Sequence, residues 1–302
     1  MKIHVWKVLL VLFSLMISLP GNANSTDGMQ LTLEDEQQEM PRALPDKLYG
    51  VTIDSISSLP ATLDALSSLS KKPMTRIVFD EWQPATLYTS AVSQIYSKSY
   101  VLGEILDSSA MKQYSLAQYK ARTSEYLKAM YSTVDLWEVG NEINGEWLGG
   151  TSAVVAKMSA AFDLVKAKNA KTALTLYYNP DCWAKPSHEM FRWATQNIPD
   201  RMKTGLDYVL VSYYEEDCNN YQPDWQNVMS RVAQLFPNSK VGIGECGTRD
   251  PAKKAALSKQ YYSLKLNIPS FIGGYFWWYF KQDMVPKTQP LWTVLNDMIS
   301  QN

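Results

Sequence analysis

The 302-residue chain carries 29 basic and 30 acidic side chains, a formal net charge of -1, which argues against nucleic acid or an anionic membrane surface as partner. Its length fits one large domain or two small ones. With only two histidines, and three cysteines in no zinc-like spacing, no metal or cofactor is expected, and acid/base work falls to carboxylates.

Residues 1–23 read as a secretory signal: Lys2 and Lys7, an apolar run from Val8 to Leu19, then Pro20-Gly21-Asn22-Ala23. The run is too short for a membrane span, so no stable insertion is expected after cleavage, and the mature protein is expected to be secreted or periplasmic. His4 leaves with the signal. His188, in a stretch that opens a helix, is expected at the surface. Residues 24–46 are polar and acidic and broken by Pro41 and Pro45, as in a flexible leader.

From residue 47 to 302 strand and helix patterns alternate. Leu48–Asp54 is the first strand, and Pro60 opens a helix running to about Ser70. The second strand is 75–80, with a helix near Ala91–Lys98. The third is Tyr100–Leu106, and Ser115-Leu116-Ala117-Gln118 is a capping box for a helix to Tyr131. The fourth strand ends in Glu142, before a helix over Thr151–Lys168. Strand five is Ala173–Tyr178, followed by a helix over Ser187–Asn197. Strand six is Asp207–Tyr213, followed by a helix over Trp225–Phe236. Strand seven ends at Glu245, and Asp250-Pro251 supplies an N-cap and a first-turn proline. Phe271–Trp278 is strand eight and Leu291–Ile299 the last helix. Eight strands alternating with eight helices predict a single (β/α)8 TIM barrel in one domain.

Two glutamates stand where a buried strand gives way to a loop. Glu142 ends Trp137-Glu138-Val139-Gly140-Asn141-Glu142, and Glu245 ends Val241-Gly242-Ile243-Gly244-Glu245. In a parallel barrel such ends share one mouth, and two carboxylates there suffice for glycoside hydrolysis. The plainer reading of each alone is a buried carboxylate paired with Arg or Lys. At strands four and seven, on opposite sides of the mouth, the pair favours catalysis.

This layout resembles clan A of the glycoside hydrolases, which includes the cellulase and mannanase family 5 and the xylosidase and iduronidase family 39. The likeness spans about Leu48 to Ile299 on a few short motifs. It implies that Glu142 is the acid/base, that Asn141 contacts a sugar 2-hydroxyl and that Glu245 is the nucleophile. Arg76 on strand two is implied beside the nucleophile, where it would hold Glu245 ionised; an ion pair with Glu138 is the plainer reading, and both can hold. Tyr214 is implied as a hydrogen-bond donor to Glu245. The clan's His-x-Tyr on strand six is here Ser212-Tyr213-Tyr214, a departure at the histidine. Trp277 or Trp278 should floor the sugar beside the scissile bond, with Trp277 favoured.

Trp82, Trp147 and Trp183 could each line a subsite or simply pack. Glu215-Glu216-Asp217 reads as a solvated loop, and Glu104 on strand three is unassigned. Cys182 and Cys218 follow neighbouring strands, so a bridge between them at the rim is expected, leaving Cys246 a buried, inert thiol. The expected activity is a monomeric retaining β-glycoside hydrolase on a carbohydrate polymer. Short loops after the strands favour an open groove and internal cleavage. A transglycosylase, or a non-catalytic sugar-binding barrel serving polysaccharide export, are the alternatives.

Overall fold

A computed structural model describes residues 42–301. The signal segment and most of the leader lie outside the described residues. At the leader's end Arg42 is docked: its guanidinium donates to both carboxylate oxygens of Asp135, at 2.9 and 2.5 Å, and to the carbonyls of Tyr96 and Ser99.

Eight parallel strands close into one barrel in chain order. They are β1 Leu48–Ile53, β2 Met74–Val78, β3 Tyr100–Glu104, β4 Leu136–Glu138, β5 Thr172–Tyr177, β6 Tyr208–Ser212, β7 Lys240–Glu245 and β8 Phe271–Trp277. β8 pairs back onto β1. Around them run α1 Leu59–Ser67, α2 Thr89–Lys98, α3 Leu116–Met130, α4 Thr151–Lys166, α5 Met190–Asn197, α6 Asp200–Gly205, α7 Trp225–Leu235, α8 Lys254–Tyr262, α9 Phe280–Asp283 and α10 Pro290–Gln301. The chain is thus a (β/α)8 TIM barrel, with α6 and α9 as short additions to the expected eight helices.

Local chemistry explains these boundaries. The capping box at α3 is formed: Ser115 Oγ accepts from the Gln118 amide and Gln118 Oε1 accepts from the Ser115 amide. Asp250 does not cap α8, contrary to expectation. Its carboxylate accepts from the Ala252 amide at 3.0 Å, which closes a turn and delays the helix to Lys254.

Two layers fill the barrel. The lower is an apolar floor that includes Leu48, Met74, Leu102, Leu136, Ala173, Leu210, Ile272 and Phe276. Strand side chains repeat every second residue. Two positions on from Met74, Leu102, Leu136, Ala173 and Leu210 stand Arg76, Glu104, Glu138, Thr175 and Ser212, all fully buried. One pleat therefore carries the interior from hydrocarbon to charge.

β8 breaks the regular pattern. Gly273, Gly274, Tyr275 and Phe276 all have positive φ, at 78°, 83°, 77° and 36°. Gly274 has no alternative, because a Cβ there would lie 2.3 Å from the Ile243 carbonyl oxygen. The register of β8 shifts against both β7 and β1. Phe276 is thereby turned into the floor, where its ring takes the space a Cβ at Gly50 would need.

Candidate active site

A cavity of about 290 Å³ opens at the C-terminal ends of the strands, where loops after β3, β4, β6, β7 and β8 and the end of β5 meet. Both Glu142 and Glu245 line it.

Glu142 lies four residues past the end of β4. The ladder persists beyond that end, with the Val139 amide on the Ala173 carbonyl and the Thr175 amide on the Gly140 carbonyl, both at 2.9 Å. Glu142 then takes a left-handed backbone, φ 46°, which turns the chain away from the wall. Both its carboxyl oxygens are held by hydroxyls: Ser212 Oγ donates to Oε1 at 2.6 Å and Ser108 Oγ to Oε2 at 2.9 Å. Burial, then the charge of Glu245, raise its pKa to about 8 despite those two bonds. At neutral pH Glu142 holds a proton.

Glu245, closing β7, meets the opposite surroundings. Arg76 Nη1 donates to Oε2 at 2.8 Å and the Tyr214 hydroxyl to Oε1 at 2.6 Å. Burial raises its pKa as well, but Arg76 and Tyr214 pull against that rise. Arg76 is fully buried and reaches the site only through Glu245. Its Nε and Nη2 donate to Glu138 at 2.7 and 3.0 Å, and Nη2 lies 3.2 Å from Glu104. Burial opposes the Arg76 charge, but the three carboxyls outweigh it and hold the guanidinium ionised. Both readings of Arg76 are therefore present at once. Glu138 and Glu245 take its hydrogen bonds. Glu104 has no hydrogen-bond partner for either oxygen, and burial pushes its pKa well up against the pull of Arg76.

Other expected residues fall differently. Asn141 is 1 % exposed and is not among the residues lining the cavity. Its Oδ1 accepts from the Ser108 amide at 2.9 Å and its Nδ2 approaches Glu138 at 3.5 Å. Trp278 lines the cavity, with its ring centroid 5.6 Å from the Arg76 guanidinium carbon. Trp277, the favoured residue, is fully buried with its indole N–H on Asp283 at 3.0 Å. The left-handed run just before it breaks the alternation that would otherwise set which of the two indoles faces the mouth.

The acidic loop after β6 is solvated at Glu216 and Asp217, as expected, but it also forms part of the cavity wall. Glu215 is buried; Glu216 and Asp217 line the cavity. Asp217 accepts from the Tyr177 hydroxyl at 2.7 Å, and Glu216 from Thr248 Oγ1 at 2.9 Å. His188 is buried too, not at the surface, with Nδ1 on the Asn144 carbonyl at 2.7 Å. Trp147 lines the cavity, edge-on to Tyr177 and parallel to Trp183. Trp82 does not line it; it stacks on Tyr114 at 4.0 Å, 53 % exposed.

Cys182 and Cys218 form a disulfide joining the loops after β5 and β6, with Cα atoms 5.6 Å apart. Cys246 is a buried free thiol pointing at the Tyr275 carbonyl, and burial raises its pKa far beyond reactivity. Among the described residues, no group of three or more His, Cys, Asp or Glu could hold a metal ion, and no helix is long and apolar enough to cross a membrane.

Sequence reasoning missed Asp107, Ser108, Tyr177, Arg249 and Tyr279 as cavity residues, and Ser212 as a partner of Glu142. A signal existed for two of them: Asp107-Ser108 follow strand three directly, on the face where a barrel carries its chemistry.

No protein-family model matches the chain, and no curated protein matches it. Among solved structures it is similar to Saccharomyces cerevisiae Gas2p in complex with laminaritriose and laminaritetraose, with TM-score 0.52 and 11 % identity over 88 % of this chain and 69 % of that one. The Gas2p complex with laminaripentaose gives 0.53 and 12 % over 87 % and 69 %. A glutamate-to-glutamine mutant of Gas2p with laminaritetraose and laminaripentaose gives 0.53 and 12 % over 84 % and 63 %. At this identity the likeness is one of fold.

Proposed function

We propose that the chain is a retaining β-glycosidase-type enzyme working by double displacement on a neutral polysaccharide. One observation carries this reading: two carboxyls face one cavity from opposite environments, Glu142 protonated at neutral pH and Glu245 held by a guanidinium and a phenol. Glu142 donates its proton to the glycosidic oxygen while Glu245 attacks the anomeric carbon. A glycosyl ester on Glu245 forms as the leaving sugar departs. Glu142, now a carboxylate, takes a proton from the incoming hydroxyl, whose oxygen displaces Glu245.

The cavity wall supports a neutral substrate. Asp107, Glu216 and Asp217 join Glu245 there, against Arg249 alone as a cation, so a polyuronate would be repelled. The laminari-oligosaccharides bound by Gas2p are neutral glucans and name the first substrates to try. Water as acceptor makes the enzyme a hydrolase. The Trp147 ring, which shares the cavity with Glu142 and has Trp183 parallel to it at 6.5 Å, favours a second reading, transfer to a sugar hydroxyl. The signal-like N-terminus and the rim disulfide together support export to an oxidising compartment.

The test is mutational rescue on laminaripentaose and a panel of other β-linked glycans. Glu245→Ala should abolish turnover and regain it with azide, giving a product of inverted anomeric configuration. Glu142→Ala should spare substrates whose leaving group needs no proton. Wild-type turnover in both variants on a substrate the enzyme cleaves would end the reading.

A further inference from the structure

The proton donor touches the leaving oxygen, so the leaving or accepting sugar lies on the Glu142 side of the cavity. Trp278 packs over Arg76, which holds Glu245, and so belongs to the sugar under attack. Trp147 belongs to the other side. Its indole N–H donates to Ser108 Oγ at 3.0 Å, and Ser108 Oγ lies 2.9 Å from Glu142 Oε2.

A serine hydroxyl has one proton and rotates to suit its neighbours. Here the indole N–H can only donate, so it fixes Ser108 Oγ as acceptor on that side. The serine's own proton is left to point at Glu142. Without the indole, the hydroxyl is free to turn. Trp147 also has a cavity-facing ring, 36 % exposed and backed by Tyr177 and Trp183, on which a sugar face can rest.

We infer that Ser108 and Trp147 are positioning residues for Glu142: the indole that carries the leaving or accepting sugar also orients the hydroxyl that holds the acid/base carboxyl. The inference rests on the proposed role of Glu142. Other groups act on Glu142 as well. Glu245 on β7 and Asp107 beside Ser108 oppose its ionisation, Ser212 on β6 supports it, and the phenols of Tyr177 on β5 and Tyr214 beyond β6 couple to its charge. Arg249, the cation of the cavity wall, shares that cavity.

The test reads the carboxyl itself in the free enzyme. Infrared titration follows the protonated Glu142 stretch, assigned by its loss in E142Q. In S108A the titration point should move up by about one pH unit, because a hydrogen bond favouring the charged form is gone. In W147F, which keeps an aromatic face and loses the N–H, it should move the same way by less. S108T should restore the wild-type value. A W147F titration point equal to wild type overturns the relay, whatever happens to stability or rate. The role of Glu142 fails separately, if E142Q retains turnover on a substrate the wild type cleaves.

Discussion

Arg76 is the single guanidinium within a layer of buried carboxyls, so Arg76→Met should reveal what that layer costs. The substitution keeps most of the side-chain volume and removes the charge. Glu138 loses two hydrogen bonds, at 2.7 and 3.0 Å, and Glu245 loses one, at 2.8 Å. Removing one partner of a buried ion pair costs about 3–5 kcal/mol. For a domain of this size that is a fall of roughly 10 °C in Tm. The loss should depend on pH, and its sign follows from linkage. Without Arg76 the buried carboxyls stay folded only by binding protons, so their folded pKa values rise above the unfolded value of about 4.3. A raised group stabilises fully below its unfolded pKa and loses that contribution as pH climbs towards the folded pKa. The gap between variant and wild type should therefore be small near pH 4.5 and widen towards pH 8. Urea or thermal unfolding across that range measures it. A penalty that does not change with pH, or no penalty, would refute the description of the layer.

Glu142→Gln should stabilise the fold, because Glu142 titrates at about 8 when folded against an ordinary 4.5. That carboxyl's contribution is intact below 4.5 and lost as pH rises through about 8, so the gain in Tm should appear between those values and level off above them; a gain largest at pH 4.5 would contradict it. Tyr214→Phe removes a donor to ionised Glu245, and the acid limb of kcat/KM should move up by about 1–2 pH units; an unmoved limb would show that the phenol does not tune Glu245. Cys182→Ser with Cys218→Ser opens a loop of sequence separation 36, and loop entropy predicts a loss of about 3–4 kcal/mol in unfolding experiments; equal midpoints with and without reductant for the wild type would argue against the bridge.

The barrel was legible in the sequence because buried parallel strands and amphipathic helices alternate with little interruption, and errors fell at element ends. Arg76 and Tyr214 were placed beside Glu245 by the clan resemblance, while Glu142 and Glu245 could be placed at one mouth because both close regular strands. Where that regularity stops, reading stops too. Trp278 rather than Trp277 lines the cavity after four residues of positive φ, and only Gly273-Gly274 hinted at that. Glu216, Asp217 and His188 lie on loops whose folding depends on partners distant in sequence: Thr248, Tyr177 and Asn144. Asn141 was placed by analogy alone, and its contacts with Ser108 and Glu138 depend on how the loops after β3 and β4 meet.

The apolar floor governs where protons can travel. Met74, Leu102, Leu136, Leu210, Ile272 and Phe276 close the barrel beneath Arg76 and its carboxyls. Exchange with bulk water therefore runs through the mouth, the side a glycan would cover under the proposed function. A glycan filling that opening would seal the protons beneath it for the duration of the visit. Arg76 would keep its charge, and the proton of Glu142 is the one the proposed reaction would move. On that reading the barrel would behave as a flask with a single neck, stoppered by its own substrate.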